Sequence, residues 1–184
     1  MTEHISIARR PVARRLLGWA PMIVAAAAIA VVAALVLKPA SHGSGLVGSK
    51  APGFTLRDTR GAALSLSSLV GHPVLLNFWG VSCAPCRREM PVLQQAFERY
   101  RAAGLLVVGV DAQVDDAQAV EAFAAEHGAT YPMLLNPSQS LMQAYTLDAL
   151  PRSFFIDRSG VIRLDGRTPF EDAATLDQAL KTIL

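Results

Sequence analysis

The sequence predicts an α/β fold, strands alternating with helices and closed by a hairpin and a last helix, set behind an N-terminal membrane-crossing segment. Three observations carry this reading. Apolar runs of strand length, Val74 to Trp79 and Leu105 to Val110, alternate with stretches of helical periodicity such as Met90, Leu93 and Phe97, the pattern of βα units around a largely parallel sheet. The only two cysteines, Cys83 and Cys86, stand where the first of these runs hands over to a helix. And no charged residue occurs from Leu16 to Leu37.

The last observation orders the N-terminal part of the chain. As a helix rising about 1.5 Å per residue, residues 16–37 span roughly 33 Å, enough to cross a hydrocarbon core. Arg9, Arg10, Arg14 and Arg15 precede the run and only Lys38 follows it closely, so the positive-inside bias puts residues 1–15 in the cytoplasm and the remainder outside. The run is longer than the core of a usual signal sequence, and its small-residue triplets such as Ala26-Ala27-Ala28 lie inside it, which favours an uncleaved anchor over a cleaved signal. Residues 38–50, rich in Gly and Ser, read as a flexible tether, and residues 51–184 as the folded domain.

Within that domain, Phe54-Thr55-Leu56 and Ala63-Leu64-Ser65 flank the turn Asp58-Thr59-Arg60-Gly61 and read as a short extended pair. Leu66 to Gly71 is one helical turn, and His72-Pro73 opens the strand to Trp79. The helix that follows the cysteines runs to about Ala103, kinked by Pro91, which cannot donate to the preceding turn. The run from Leu105 to Val110, bounded by Gly104 and Asp111, suits an interior parallel strand. Asp115 and Asp116 start a helix that ends near His127-Gly128, their charge complementing its dipole. Tyr131 to Leu135 is a further strand, and Leu141, Met142 and Tyr145 mark a short helix begun at Pro137-Ser138. Ser153 to Asp157 and Val161 to Leu164 form a hairpin across Arg158-Ser159-Gly160, and the last helix, from about Glu171 to Leu184, buries Leu176, Leu180 and Ile183.

The chemistry concentrates at the dithiol. A helix beginning on Cys83 offers free N–H groups and the positive end of its dipole, both of which favour a thiolate. In an oxidising compartment the two thiols tend to close into a disulfide unless something keeps reducing them. A bridge enclosing two residues constrains the unfolded chain little, which argues for redox chemistry over scaffolding. Other chemistries fail on spacing. Arg87 follows Cys86 where a haem-attachment motif needs histidine, and His72 has no spaced partners, so no metal site is expected. The net charge of +2 rests partly on the N-terminal arginines and gives no case for nucleic-acid binding.

The order of several short motifs narrows this further. Ala51-Pro52-x-Phe54-x-Leu56, Asn77-Phe78-Trp79 before Cys-x-x-Cys, Glu89-Met90-Pro91, Tyr131-Pro132, and Leu150-Pro151 followed by Phe154-Phe155-Ile156-Asp157-x-x-Gly160 together resemble the membrane-anchored TlpA/ResA/CcmG (DsbE) thioredoxins, over essentially all of residues 51–184. A peroxiredoxin shares the Ala-Pro-x-Phe opening, but the tight dithiol favours thioredoxin-type exchange. The resemblance implies a thioredoxin-like fold, a central mixed sheet flanked by helices, with an N-terminal β extension and an inserted βα unit.

It also implies roles. Cys83 is then the exposed attacking thiolate and Cys86 the buried resolving thiol, with no cofactor beyond their own disulfide. Pro151 matches a proline whose peptide bond is cis and which lies beside the dithiol. Leu150 before it pairs with a substrate chain, and Trp79 floors the site. Asn77 stands where cytosolic thioredoxins carry a buried acid, so a carboxylate from the inserted unit, Asp115, could assist proton transfer, although an acid at a helix start also serves as a cap. Ser82 replaces the tryptophan usual before the first cysteine, and Arg152-Ser153 replaces the usual Glu-Thr or Thr-Thr.

The expectation is therefore a periplasmic thiol:disulfide oxidoreductase held at a bacterial inner membrane. It would reduce disulfides of exported proteins, such as apocytochrome c or copper-site assembly factors, and draw electrons from a transmembrane donor of the DsbD/CcdA kind. The same fold could run as an oxidase or isomerase, and a copper(I)-binding module using the dithiol as soft ligand is the alternative of another class.

Overall fold

The computed structural model describes residues 45–184. The expected cytoplasmic N-terminus, the membrane segment 16–37 and the first part of the tether lie outside these residues. Among the described residues no helix is long and apolar enough to cross a membrane.

Seven strands form one sheet: β1 (Thr55–Asp58), β2 (Ala63–Ser65), β3 (Val74–Trp79), β4 (Leu106–Asp111), β5 (Met133–Leu135), β6 (Arg152–Ile156) and β7 (Ile162–Gly166), in the spatial order β2-β1-β5-β4-β3-β6-β7. Four helices accompany them: α1 (Ala84–Tyr100), α2 (Ala117–Glu126), α3 (Gln139–Ala144) and α4 (Ala173–Leu180). The sheet is mixed as expected. β3, β4 and β5 run parallel, while β6 pairs antiparallel with β3, and β1 antiparallel with β5. The second βα unit expected after β4 is seen as α2 and β5, and the short extended pair before β3 as β1 and β2.

β3 is buried along its whole length, and strand alternation splits it between two cores. Leu75 and Trp79 join Cys83, Cys86, Met90, Leu93, Phe123 and Leu180 on one face of the sheet. Leu76 and Phe78 join Val108, Val110, Leu141, Tyr145 and Phe154 on the other. The same parity puts Asn77 on the first face and Arg152, paired in register with Phe78, on the second.

Two sequence expectations need correction. The tether expected through residue 50 is already part of the fold there: the Gly48 N–H donates to the Ile162 carbonyl (2.8 Å), the Ile162 N–H to Ser49 (3.0 Å), and Lys50 bridges to Val161. These residues extend the edge beside β7, and Leu46 packs on the second core. The last helix is shorter than expected, beginning at Ala173 after an Asp172 cap and ending at Leu180. Pro91 lies inside α1, as expected. A short 3-10 segment, Arg101–Ala103, extends that helix until Gly104, at φ 86°, takes the left-handed conformation that only glycine adopts without cost.

Candidate active site

The site lies at the C-terminal end of β3. After Trp79 the chain turns through Gly80, Val81 and Ser82, and Cys83 becomes the N-cap of α1, with Pro85 in the first turn where its missing N–H is not needed. The Cys86 N–H donates to the Cys83 sulfur at 3.3 Å, so the helix start directs a main-chain donor at the first cysteine. Cys83 and Cys86 are joined as a disulfide. Cys83 is 8% exposed and Cys86 2%, which makes Cys83 the sulfur a partner can reach first.

Two loops flank this turn because β3 is paired on both sides. In the antiparallel register Phe78 faces Arg152, which carries Pro151 alongside Trp79 one step further. The Leu150–Pro151 bond is cis, as expected, Pro151 is buried and Leu150 half-buried. In the parallel register Trp79 faces Asp111, which brings residues 112–115 to the other side of the turn.

Arg152 anchors the first flank from the opposite face of the sheet. Its guanidinium donates to both oxygens of Asp165, to Asp148 at 2.6 Å and to the Thr146 carbonyl at 3.3 Å, and it lies over the Phe154 ring. The Arg152 hydrogen bonds therefore hold the loop that ends in Leu150-Pro151.

Trp79 is fully buried, stacked on Phe123 with ring centroids 4.9 Å apart. It shares the core of Cys83 and Cys86, and at 0% exposure it leaves no surface for a client to touch. Its indole N–H has no partner among the described residues.

Below Cys86 lies a buried acid that the sequence reading passed over. Glu89, one turn after Cys86 on the same helix, is 1% exposed and accepts from Asn77 Nδ2 at 3.1 Å and from the Phe170 N–H at 3.1 Å. Asn77 Nδ2 also donates to Ser153 Oγ at 2.9 Å. Burial pushes the Glu89 carboxyl up to about 7, against the lowering effect of the Phe170 and Asn77 hydrogen bonds. Burial also raises the Tyr131 phenol, with the Glu89 charge adding to the effect, and the Tyr131 hydroxyl has no hydrogen-bond partner among the described residues. The acid absent from position 77 is thus supplied to Asn77 by the helix that carries the cysteines. The signal was present in the sequence, since Glu89 falls on the stripe of Cys86, Met90 and Leu93.

Asp115, expected either to assist or to cap, does not cap the helix. Asp116 does so, its Oδ1 accepting from the Ala119 N–H at 2.8 Å. Asp115 Oδ2 instead accepts from the Val81 N–H at 3.0 Å, two residues before Cys83. Its own N–H donates at 2.7 Å to Asp111, whose other oxygen accepts from the Gln113 N–H at 3.1 Å. Asp111 is fully buried, and burial pushes its carboxyl up to about 6, opposed by these two N–H donors and reinforced by the neighbouring Asp115 charge. Among the described residues no group of three or more His, Cys, Asp or Glu side chains converges as a metal site would require.

Residues 47–164 match the AhpC/TSA family. Among curated proteins, the chain is 34% identical over 116 residues to the thiol-disulfide oxidoreductase ResA of Bacillus thuringiensis (strain Al Hakam), covering 63% of this chain and 66% of that protein. It is 37% identical over 117 residues to ResA of Geobacillus kaustophilus, covering 64% and 67%. The chain therefore spans just under two thirds of the first of these relatives. Among solved structures, a thiol:disulfide interchange protein of the thioredoxin family from Chlorobium tepidum superposes with a TM-score of 0.62 at 26% identity, covering 72% of this chain and 93% of that one.

Proposed function

Since the chain belongs to the AhpC/TSA family of thioredoxin-like proteins, we propose that it is a thiol:disulfide oxidoreductase whose Cys83–Cys86 pair exchanges disulfides with protein clients. The observation that carries this is the pair itself, a disulfide on the first turn of α1 with the more exposed sulfur at the N-cap.

In the reducing direction the Cys83 thiolate attacks one sulfur of a client disulfide and expels the other as a client thiolate, leaving a mixed disulfide on Cys83. Cys86 then loses its proton, with the Glu89 carboxylate as acceptor, and its thiolate attacks the Cys83 sulfur. The client's second thiolate leaves, the client has gained two electrons, and the Cys83–Cys86 disulfide has formed. A carboxyl near 7 suits this task, because it is partly ionised at neutral pH and holds the proton once received. Asp115, fixed on the Val81 N–H, stands as an auxiliary proton acceptor on the outer side of the turn. Leu150 offers its main chain to the client beside the dithiol.

The clients are exported proteins, and the domain works outside the cytoplasm, anchored at the inner membrane by residues 16–37. The uncharged run from Leu16 to Leu37 and its arginine flank support this. Return of the pair to the dithiol draws on a transmembrane electron donor of the DsbD/CcdA kind. Apocytochrome c and copper-site assembly proteins are the client classes to try first.

Insulin reduction by dithiothreitol tests the activity. The wild-type chain accelerates it and Cys83→Ser does not, whereas a wild type inert in this assay that retains copper(I) would make the protein a metal-binding module. Cys86→Ser traps clients as mixed disulfides on Cys83 in cells. Equilibration with a glutathione or dithiothreitol buffer then fixes direction, a potential near about −270 mV marking a reductant and one near about −120 mV an oxidant.

A further inference from the structure

Ser82 lies next to Cys83, and the structure pairs it with one side chain, that of Gln113. Gln113 Oε1 accepts from both the Ser82 N–H (3.0 Å) and the Ser82 hydroxyl (2.7 Å). The Gln113 side chain lies over the α-carbon of Gly80 and fills the space that a β-carbon there would occupy, so the glycine makes room for it. The residue on which this loop rests is Asp111, which accepts the Gln113 and Asp115 N–H groups from beneath. Gln113 is thus seated against Gly80, the turn before Cys83 and its own loop.

The seating decides which way the amide points. A main-chain N–H can only donate, so Ser82 requires the oxygen of Gln113 and turns the NH2 group away. Gln113 is exposed, and its NH2 group has no partner among the described residues. Next to it Val114, with φ 60° and 55% exposed, presents an apolar side chain on the same rim. A β-branched residue seldom adopts that conformation, and here it leaves the side chain facing outward.

We propose that Gln113, locked by Ser82, is a client-binding residue: its amide NH2 donates to a main-chain carbonyl of an extended client segment beside the client's reactive cysteine. The client chain is held on the flank opposite Leu150-Pro151, so both sides of Cys83 carry a main-chain contact. A polar donor on this flank favours clients whose cysteine lies in an extended, solvated segment with a free main-chain carbonyl. This inference rests on the exchange activity proposed above.

The test is steady-state reduction of two disulfides by the full chain in detergent with dithiothreitol as reductant. Insulin offers a main chain, and bis(2-hydroxyethyl) disulfide, neutral and without amides, reports on Cys83 reactivity. Gln113→Leu is expected to raise KM for insulin about fivefold to tenfold with kcat changed less than about twofold, the pattern of lost binding. It also loses at least about threefold more kcat/KM on insulin than on the small disulfide. Ser82→Ala removes the hydroxyl donor but keeps the main-chain N–H that sets the direction of the amide, so its rise in KM stays below about twofold. An unchanged insulin KM in Gln113→Leu, or equal losses on the two disulfides, overturns the proposal while exchange at Cys83 stands. A wild-type chain that reduces neither disulfide overturns the exchange reading itself.

Discussion

Arg152 grips Asp165 with two parallel hydrogen bonds, Nε to Oδ1 at 2.5 Å and Nη2 to Oδ2 at 2.8 Å, with its side chain only 1% exposed. Removing one partner of such a pair strands a buried charge, so Arg152→Ala should cost about 3–5 kcal/mol of stability. Arg152→Lys keeps the charge but loses the planar fork and costs less. Asp148→Ala, whose carboxylate is 67% exposed, should fall within about 1 kcal/mol. Urea unfolding of the three variants checks the ranking, and a loss in Arg152→Ala no larger than in Asp148→Ala would contradict it.

Glu89 makes stability depend on pH with a definite sign. Its folded-state value of about 7 lies above the ordinary 4.5, so the folded protein binds the extra proton. Its contribution is fully present below about pH 4.5 and is lost as pH rises toward about 7. The wild type should therefore lose roughly 3 kcal/mol through this group between pH 4.5 and pH 8. Glu89→Gln, which does not titrate, should flatten the profile by that amount while slowing resolution of the mixed disulfide. Parallel profiles for wild type and variant would show that Glu89 titrates normally.

Asp111 holds the loop that holds the turn before the dithiol. Asp111→Ala leaves the Gln113 and Asp115 N–H groups without their acceptor and should cost about 1–3 kcal/mol. The more specific readout is hydrogen exchange. The Val81 and Ser82 amides, which donate to Asp115 and Gln113, should exchange faster in the variant, while the amides at the centre of β3 change only with overall stability. Equal acceleration along the whole of β3 would mean that Asp111 supports the sheet and not this loop.

Gly109 has Trp79 and Met133 where a side chain would begin. A β-carbon there would lie 2.6 Å from Met133 Sδ and 2.9 Å from Trp79 Nε1. Gly109→Ala should cost about 1–3 kcal/mol through overpacking and displace the indole stacked on Phe123, read as a change in near-ultraviolet circular dichroism. An unaltered spectrum and unfolding midpoint would show that the core yields without moving Trp79.

What the sequence made legible follows the range of the interactions involved. β3, β4 and β6 were readable because an apolar run is a local signal, and the turn bearing Cys83 was readable because the strand ends and the helical period begins within a few residues. Cis Pro151 came through the order of motifs. Arg152 could be named but not placed, because its burial depends on Asp165 across the β6–β7 hairpin. Glu89 was passed over as one of the polar residues between apolar ones, although its spacing from Cys86 and Leu93 put it on the buried stripe. Asp115 was read from its neighbours in the chain as a cap, whereas the partner it takes is Val81, brought to it by sheet pairing. Ser49 and Lys50 looked like linker because small and polar residues say nothing of a distant edge, and only the β7 pairing makes them structural.

Cys83, Cys86 and the carboxyl of Glu89 lie within the first two turns of α1, while the loops on either side of them, residues 112–115 and 146–151, are held by other strands. Chemistry and selectivity are therefore inherited on separate pieces of the chain. On the proposed function, substitution of Gln113, Val114, Leu147 or Ala149 retunes which partners are accepted while Asp111 and Asp115 keep the turn before Cys83 in place. Residues 83–89 carry the sulfurs and the carboxyl, and a transplant onto another sheet would have to bring Asn77 and Phe170, which hydrogen-bond Glu89, with it.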